Sequence, residues 1–267
     1  MRLTASQRKL ISSLGSARKR RQEGLFVAEG IRSLRELLPV FPLRYLVATS
    51  GWLEENGPLA DSLAGHPLSD GELLIARNDE LERISSMSAP QGVLGVFELP
   101  EDENNGELPA PGGDELLLAL DRIQDPGNLG TILRVADWFG IHTVLASRDT
   151  VDVFNPKVLQ STMGALARVK VVYCDLAATL GGLAGKGTAV YGTFLDGDDI
   201  YRARLGRGGV IVMGNEGNGI SPEVESAVSC RIRIPSFPPD APTVESLNVG
   251  TAAAVTVAEF RRRVNLV

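Results

Sequence analysis

The stretch DELLLALDRIQDPGNLGTILRVADWFGIHTVLAS, residues 114–147, decides the fold. Its apolar run Leu116 to Leu120 has the length of a strand and no polar alternation, which predicts burial on both faces. Asp125-Pro126-Gly127 reads as a type II turn that ends this strand sharply. Leu129, Ile132, Leu133 and Ala136 then recur at helical spacing, and Thr143 to Ala146 is a second strand. Strand, helix and strand in this order form the repeating unit of a mostly parallel α/β sheet.

The pattern continues downstream, with strands predicted at Lys170 to Tyr173, Ala189 to Phe194, Val210 to Met213 and Arg231 to Ile234. Ser221-Pro222 is a cap and first-turn pair, and a last helix runs from about Leu247 to Arg263. Three short polar segments fall where apolar runs give way to helical ones: Asn128 to Arg134 (NLGTILR), Gly214 to Gly219 (GNEGNG) and Ser246 to Asn248 (SLN). Open α/β sheets bind their ligands at such transitions.

Upstream, residues 99–113 (LPEDENNGELPAPGG) have the Pro, Gly, Asn and acid content of a linker. They separate residues 114–267 from a first unit, residues 1–98, with a basic helix from about Ser6 and strands at Leu25 to Ala28, Tyr45 to Ala48, Leu73 to Ala76 and Val93 to Phe97. A helix carries Ile31, Leu34, Leu37 and Leu38 on one face, and Asn78 is placed to cap another. The expectation is a small α/β sandwich without a reactive constellation.

Composition narrows the chemistry. The 267 residues are 43% hydrophobic and 22% charged, a globular balance. No apolar run reaches the roughly 18 residues of a membrane span, and no apolar stretch follows Arg2, Arg8 and Lys9 as in a signal sequence. A cytoplasmic location without membrane association is expected. Cys174 and Cys230 are too few for a disulfide framework, and His66 and His142 lack ligand spacing, so no metal is expected. The net charge of −6 is unevenly spread: residues 99–113 carry four acids and no base, while Arg18, Lys19, Arg20 and Arg21 run together and Arg261, Arg262 and Arg263 lie near the end. Such clusters suit RNA phosphates or a solvated surface equally.

Taken singly, each polar segment has a plain structural explanation. Asn128 to Arg134 can be a turn followed by a surface arginine, although Gly130 one turn before Arg134 leaves room beside the guanidinium. GNEGNG lets the backbone approach a ligand, yet it lacks the Lys-Ser/Thr ending of a phosphate loop. Glu216 at its centre would repel a triphosphate. Ser246 and Asn248 can simply cap the last helix. Their occurrence together, in this order, points to one site.

These residues carry a resemblance. NxGxxxR (Asn128, Gly130, Arg134), GxExxG (Gly214, Glu216, Gly219) and Ile234-Pro235 with Ser246-Leu247-Asn248 resemble the three motifs of the SpoU, or TrmH-like, branch of the SPOUT RNA methyltransferases. Residues 1–98 resemble the small substrate-binding domain that many members carry in front. The third motif continues VGTA where the family commonly reads VSVA, and Ser236-Phe237 replaces a frequent Met after Ile-Pro.

The resemblance implies a trefoil-knotted α/β domain that binds S-adenosylmethionine and works as a homodimer, with the site at the interface. It implies cofactor contacts from Thr193, Gly214, Ile234 and Leu247, largely through the backbone. It also implies a catalytic group of Arg134, Asn128, Glu216, Ser246 and Asn248, without metal, for methylation of a ribose 2′-hydroxyl in structured RNA. Because a guanidinium is a poor base, Arg134 is expected first to bind the phosphate beside the target ribose and to polarise the hydroxyl, with deprotonation as the second option. Arg18, Lys19, Arg20 and Arg21 would contact the RNA. Ribosomal RNA is favoured over transfer RNA by the additional N-terminal domain. An assembly factor that kept the fold and lost catalysis is the alternative from another class, disfavoured because Asn128, Arg134, Glu216 and Asn248 are all present. A Rossmann-type nucleotide enzyme is disfavoured by the missing GxGxxG.

Overall fold

The computed structural model describes residues 1–65, 69–100, 110–238 and 244–264. Residues 101–109 of the expected linker and residues 239–243 of the proline-rich loop lie outside these. The chain forms two compact units: Met1–Glu103 with Asp152–Ala167, and Asn104–Val151 with Arg168–Val267.

In the first unit, α1 (Ala5–Ser13) and α2 (Ala17–Glu23) precede β1 (Leu25–Glu29), α3 (Ile31–Leu37), β2 (Leu43–Thr49), α4 (Ser50–Ala64), β3 (Ser69–Ala76), α5 (Asn78–Ile84) and β4 (Val93–Glu98). The strands form one sheet in the order β1-β4-β2-β3, with β2 and β3 parallel and the other pairs antiparallel. Alternate residues face opposite sides. Val27, Val47, Leu74 and Val96 pack with Ile11 of α1, Leu14 just after it, and Leu81 and Ile84 of α5. Phe26, stacked on Phe97, belongs to a second layer that meets Phe41 edge-on.

The expected helix near Asn78 begins one residue earlier than that residue's proposed capping role allows. Arg77 is the cap residue, its N–H donating to Glu80 at 3.0 Å, and Asn78 is the first helical position. Acceptor geometry at Glu80 decides this, since the residue three positions before it becomes the cap.

A segment that the sequence pattern groups with the second domain packs into the first unit. Phe154 lies 4.8 Å from Phe26 and 6.1 Å from Phe41, centroid to centroid. Asp152 accepts two bonds from Arg20, whose other terminal nitrogen donates to the carbonyls of Leu14 and Gly15. Arg20 is 1% exposed. Its expected contact with RNA is therefore incorrect, because its donors are consumed inside the protein. Arg18 and Arg21 remain exposed, and Lys19 is half-buried beside Gln22 and Glu23.

The rest of the chain runs β5 (Leu116–Leu120), α6 (Pro126–Trp138), β6 (Thr143–Ser147), α7 (Pro156–Thr162, in the first unit), β7 (Lys170–Cys174), α8 (Leu176–Gly185), β8 (Val190–Asp199), β9 (Gly209–Met213), α9 (Pro222–Glu225), β10 (Cys230–Arg233) and α10 (Val249–Val264). Six strands pair in the order β10-β8-β9-β5-β6-β7, and every pairing is parallel. Their buried runs explain the missing polar alternation in LLLAL and VIVM.

One face of this sheet packs on Leu176, Leu180 and Leu183 of α8 and Val224 of α9. Among the other contacts, α6 packs on α10, and Phe260 of α10 meets Tyr191 of β8 edge-on at 4.9 Å. Strand β8 outruns its expected end at Phe194 because its pairing with β10 continues beyond that with β9. It pairs with β9 up to Gly192 and with Cys230 and Arg231 of β10 at Tyr191 and Gly192, then resumes with Ile232 only at Asp198, so residues 193–197 bulge from the ladder.

The arginines near the carboxyl end are structural. Arg261 donates to the carbonyls of Phe139, Asp114 and Gly140, and Arg263 to those of Ala203 and Ile200. Arg262 and Arg263 also grip Glu259, which is 5% exposed, and hold its carboxyl below the usual carboxylate range. Arg261 and Arg263 tie α10 to its neighbours, whereas the Arg262 side chain is 56% exposed and its bonds among the described residues stay within the helix.

Candidate active site

The carboxyl edge of the parallel sheet gathers the three polar segments. Strands β5 and β9 are neighbours. The first leads into α6 with Asn128, and the second into the loop with Glu216. The first turn of α6 differs from the expected type II turn. Asp125 is the cap residue, accepting from the Asn128 N–H at 2.8 Å, and Pro126 is already helical. A type II turn needs a positive φ at its glycine, and Gly127 is not among the positive-φ glycines.

Glu216 joins the segments. Its Oε1 accepts from the Asn128 side-chain amide at 2.6 Å and from the Asn248 amide at 2.9 Å, while Asn248 also donates to Asn128 Oδ1 at 2.8 Å. Asn248 simultaneously caps α10, its Oδ1 accepting from the N–H groups of Gly250 and Thr251. Residues separated by 88, 120 and 32 positions thus close one triangle of side chains. The carboxylate orients both amides and makes no bond to Arg134 among the described residues.

Gly214 serves the loop itself. A Cβ there would lie 2.4 Å from backbone atoms of Gly219 and Ile220, because Asn215 and Gly219 exchange backbone bonds that fold the segment back on itself. Close approach of backbone to backbone, rather than to a ligand alone, demands this glycine. Asn215 tightens the loop by accepting from the N–H groups of Gly217 and Asn218 and by donating to the Arg122 carbonyl at 2.9 Å.

Sequence reading missed a supporting layer here. Asp121, 2% exposed, accepts from the Ser221 N–H at 2.6 Å, and Arg122 holds φ at 57° with its N–H donating to Ser147. The signal was present as a carboxylate and a guanidinium directly abutting the apolar run of β5.

Arg134 is exposed on α6 and forms no ion pair or hydrogen bond among the described residues. Gly130 is buried, so this part of α6 is covered by the fold. Ser246 is exposed and stands outside the triangle.

The four expected cofactor residues share one place in the topology. Thr193 follows the last β8 residue paired to β9, Gly214 follows β9 and Ile234 follows β10, and these three strands are adjacent. Leu247 precedes Asn248 at the start of α10 and is 46% exposed. The Thr193 hydroxyl is spent on the Val212 carbonyl at 3.0 Å, leaving its backbone for a ligand. Arg231 braces the β8 bulge, lying 3.6 Å over the Phe194 ring and bonding Asp196 and Glu225. This donor set fits S-adenosylmethionine: backbone groups suit a neutral adenosine, and a nearby carboxylate attracts a sulfonium while repelling a triphosphate.

Both cysteines are half-buried, and burial pushes their thiols up, away from nucleophilic use. Cys174 ends β7 and Cys230 begins β10, the opposite edges of the sheet. Five strand spacings, about 24 Å, separate them, far beyond disulfide reach.

Gly250 accounts for one departure in the third motif. A Cβ there would fall 2.9 Å from Thr131 Cγ2, where α10 crosses α6. Gly250→Ala is expected to lower stability by about 1–3 kcal/mol in a denaturant titration. Thr131→Ser in the same chain, lacking that methyl, should recover most of the loss.

A polar cluster at the carboxyl ends of parallel strands, with an arginine unpaired among the described residues on the same helix as Asn128, has the placement of a ligand site in an α/β protein. The comparisons specify the class. Residues 115–258 match the SpoU rRNA methylase family, and residues 6–95 match the MRM3-like substrate binding domain. The 23S rRNA (guanosine-2′-O-)-methyltransferase RlmB of Neisseria meningitidis is 35% identical over 69% of this chain and 74% of its own. A TrmH-family structure from Porphyromonas gingivalis has a TM-score of 0.83 and 39% identity, covering 98% of this chain and 100% of that one. The AdoMet-bound rRNA methyltransferase from Sinorhizobium meliloti has a TM-score of 0.82 and 27% identity, covering 98% and 96%. The chain belongs to the SpoU rRNA methylase family.

Proposed function

We propose that this protein transfers a methyl group from S-adenosylmethionine to a ribose 2′-hydroxyl of ribosomal RNA. The observation that carries the reading is the Asn128–Glu216–Asn248 triangle, in which residues of all three motifs meet at one carboxylate oxygen. Ribosomal RNA is the substrate of the Neisseria relative, and S-adenosylmethionine is the ligand of the Sinorhizobium structure.

S-adenosylmethionine supplies an electrophilic methyl carbon on a sulfonium. The backbone at Thr193, Gly214, Ile234 and Leu247 would hold it. Asn128 and Asn248, locked by Glu216, would offer preset amide groups to the nucleotide, and Ser246 would add a hydroxyl to that wall. Holding nucleophile and methyl in line supplies much of the acceleration such a transfer needs. Arg134, with no donor committed among the described residues, would bind the phosphate beside the target ribose and polarise the hydroxyl.

The reading includes a homodimer in the cytoplasm. Trp138, Leu195 and Phe237 of the second unit are 84%, 74% and 89% exposed, surface that a second copy would cover. Sedimentation of the free protein at twice the chain mass is the expected result.

Mapping ribose methylation across total RNA, from cells with and without this protein, tests the function. Loss of one ribosomal position is expected, and an unchanged map refutes the proposal. A position lost only from transfer RNA would transfer the reading to that substrate.

A further inference from the structure

We infer that a groove in the first unit, flanked by Arg2 and Arg77, binds a backbone phosphate of the RNA substrate. The inference rests on the RNA reading above and adds a second, non-catalytic contact. Arg2, Leu3, Ser50, Gly51, Ala76 and Arg77 are among the residues that line this open groove of about 460 Å³.

Arg2 is held by the fold rather than trailing from a loose end. Residues 1–3 run beside the outer edge of β3, with the Leu3 N–H donating to the Ile75 carbonyl at 3.0 Å and the Ile75 N–H to the Met1 carbonyl at 2.8 Å. The Arg2 side chain is exposed and has no ion pair among the described residues. Across the groove the Arg77 side chain is 68% exposed and pairs with Asp79.

The carboxylates close to the groove are already satisfied. Glu80 receives Arg8 at 2.9 Å and Arg77 at 3.6 Å, and Asp79 receives Arg77 and Arg83. Three guanidinium groups thus face two carboxylates, and Arg2, without an ion pair among the described residues, adds a further positive charge, leaving the region cationic. The groove also holds the first residues of α4, whose Ser50 and Gly51 N–H groups precede the first intrahelical bond. Thr49 caps Trp52 and leaves those two N–H groups available. The uncommitted Arg2 guanidinium, the terminal nitrogen that Arg77 keeps beyond its two bonds to Asp79, free amides and a concave wall are groups that contact nucleic-acid phosphates, fixing register without reading sequence.

The test measures affinity of the full chain for ribosomal RNA as salt is raised, with wild-type protein, Arg2→Gln, Arg77→Gln and Gly51→Glu, and with Arg32→Gln, at an exposed arginine of α3 that does not line the groove, as a charge-matched control. Each arginine removed from a phosphate reduces the slope of log affinity against log salt by about 1. Arg2→Gln and Arg77→Gln are expected to show this change, and Arg32→Gln is not. At Gly51 an added Cβ meets nothing within 4 Å, and Gly51→Glu places an acid where helix termini tolerate one, so it should fold normally and weaken RNA binding. S-adenosylmethionine affinity should be the same in all five proteins. Groove variants with the wild-type slope and affinity overturn the inference while RNA binding by the wild type stands. A wild-type chain that binds no ribosomal RNA overturns both the groove and the function beneath it.

Discussion

Arg134→Ala is expected to lower the rate of methyl transfer by about 10²–10³-fold, the usual cost of deleting a charged group that acts on the transition state. Its side chain is exposed and bonds nothing among the described residues, so its removal costs the fold little. The melting temperature and S-adenosylmethionine affinity, read by calorimetry, should therefore match the wild type. Arg134→Lys separates the two roles. A guanidinium that grips phosphate with a planar fork is poorly replaced by a point charge, whereas an amine with a lower pKa is the better base. Lysine activity near that of alanine supports the binding role, and activity approaching wild type supports proton abstraction. Full turnover in Arg134→Ala would remove this residue from the mechanism.

Asp152→Ala should be the most destabilising single change outside the site. It strips the carboxylate from an arginine that is 1% exposed, leaving a buried cation with only the carbonyls of Leu14 and Gly15. Breaking a buried pair in this way costs about 3–5 kcal/mol, measurable as a lower midpoint in urea. Arg20→Met, which removes the charge and keeps most of the volume, should be milder, because no uncompensated ion remains. Equal stability of Asp152→Ala and wild type would mean that the pair carries no weight in the first unit.

Much of the fold was legible because burial imposes short-range patterns. The strand at Leu116 to Leu120 coincides with its expected bounds, and those at Val210 and Lys170 differ by one residue at one end. Apolar runs of this length, punctuated by Pro, Gly and Asn, have few alternatives. Errors arose where a local signal had two solutions. Asp125-Pro126-Gly127 suits a turn or a capped helix, and the Asp125 side chain, free to accept from Asn128, selects the helix. The Arg18 to Arg21 run looks uniform on paper, yet helical geometry turns one residue of the four inward to Asp152, 132 positions away.

The candidate site divides in the same manner. Asn128, Glu216 and Asn248 were identifiable as polar groups at strand-to-helix transitions. Their convergence on one carboxylate oxygen, the closure of the GNEGNG loop through Gly214, and the support from Asp121, Arg122 and Asn215 were not. Hydrogen bonds depend on distances of a few ångströms between residues remote in sequence, and composition carries no record of them.

By itself, the sequence determined the elements, the parallel sheet and the family, since each is written in periodicity or in motifs of a few adjacent residues. Only the tertiary structure decided which charges act inward and which outward. Arg20, Arg261 and Arg263 are spent on internal partners, whereas Arg134 and Arg2 are exposed without an ion pair among the described residues. The physical reason is that a guanidinium is indifferent to its neighbours along the chain and is committed by whichever acceptors the fold brings within hydrogen-bond reach.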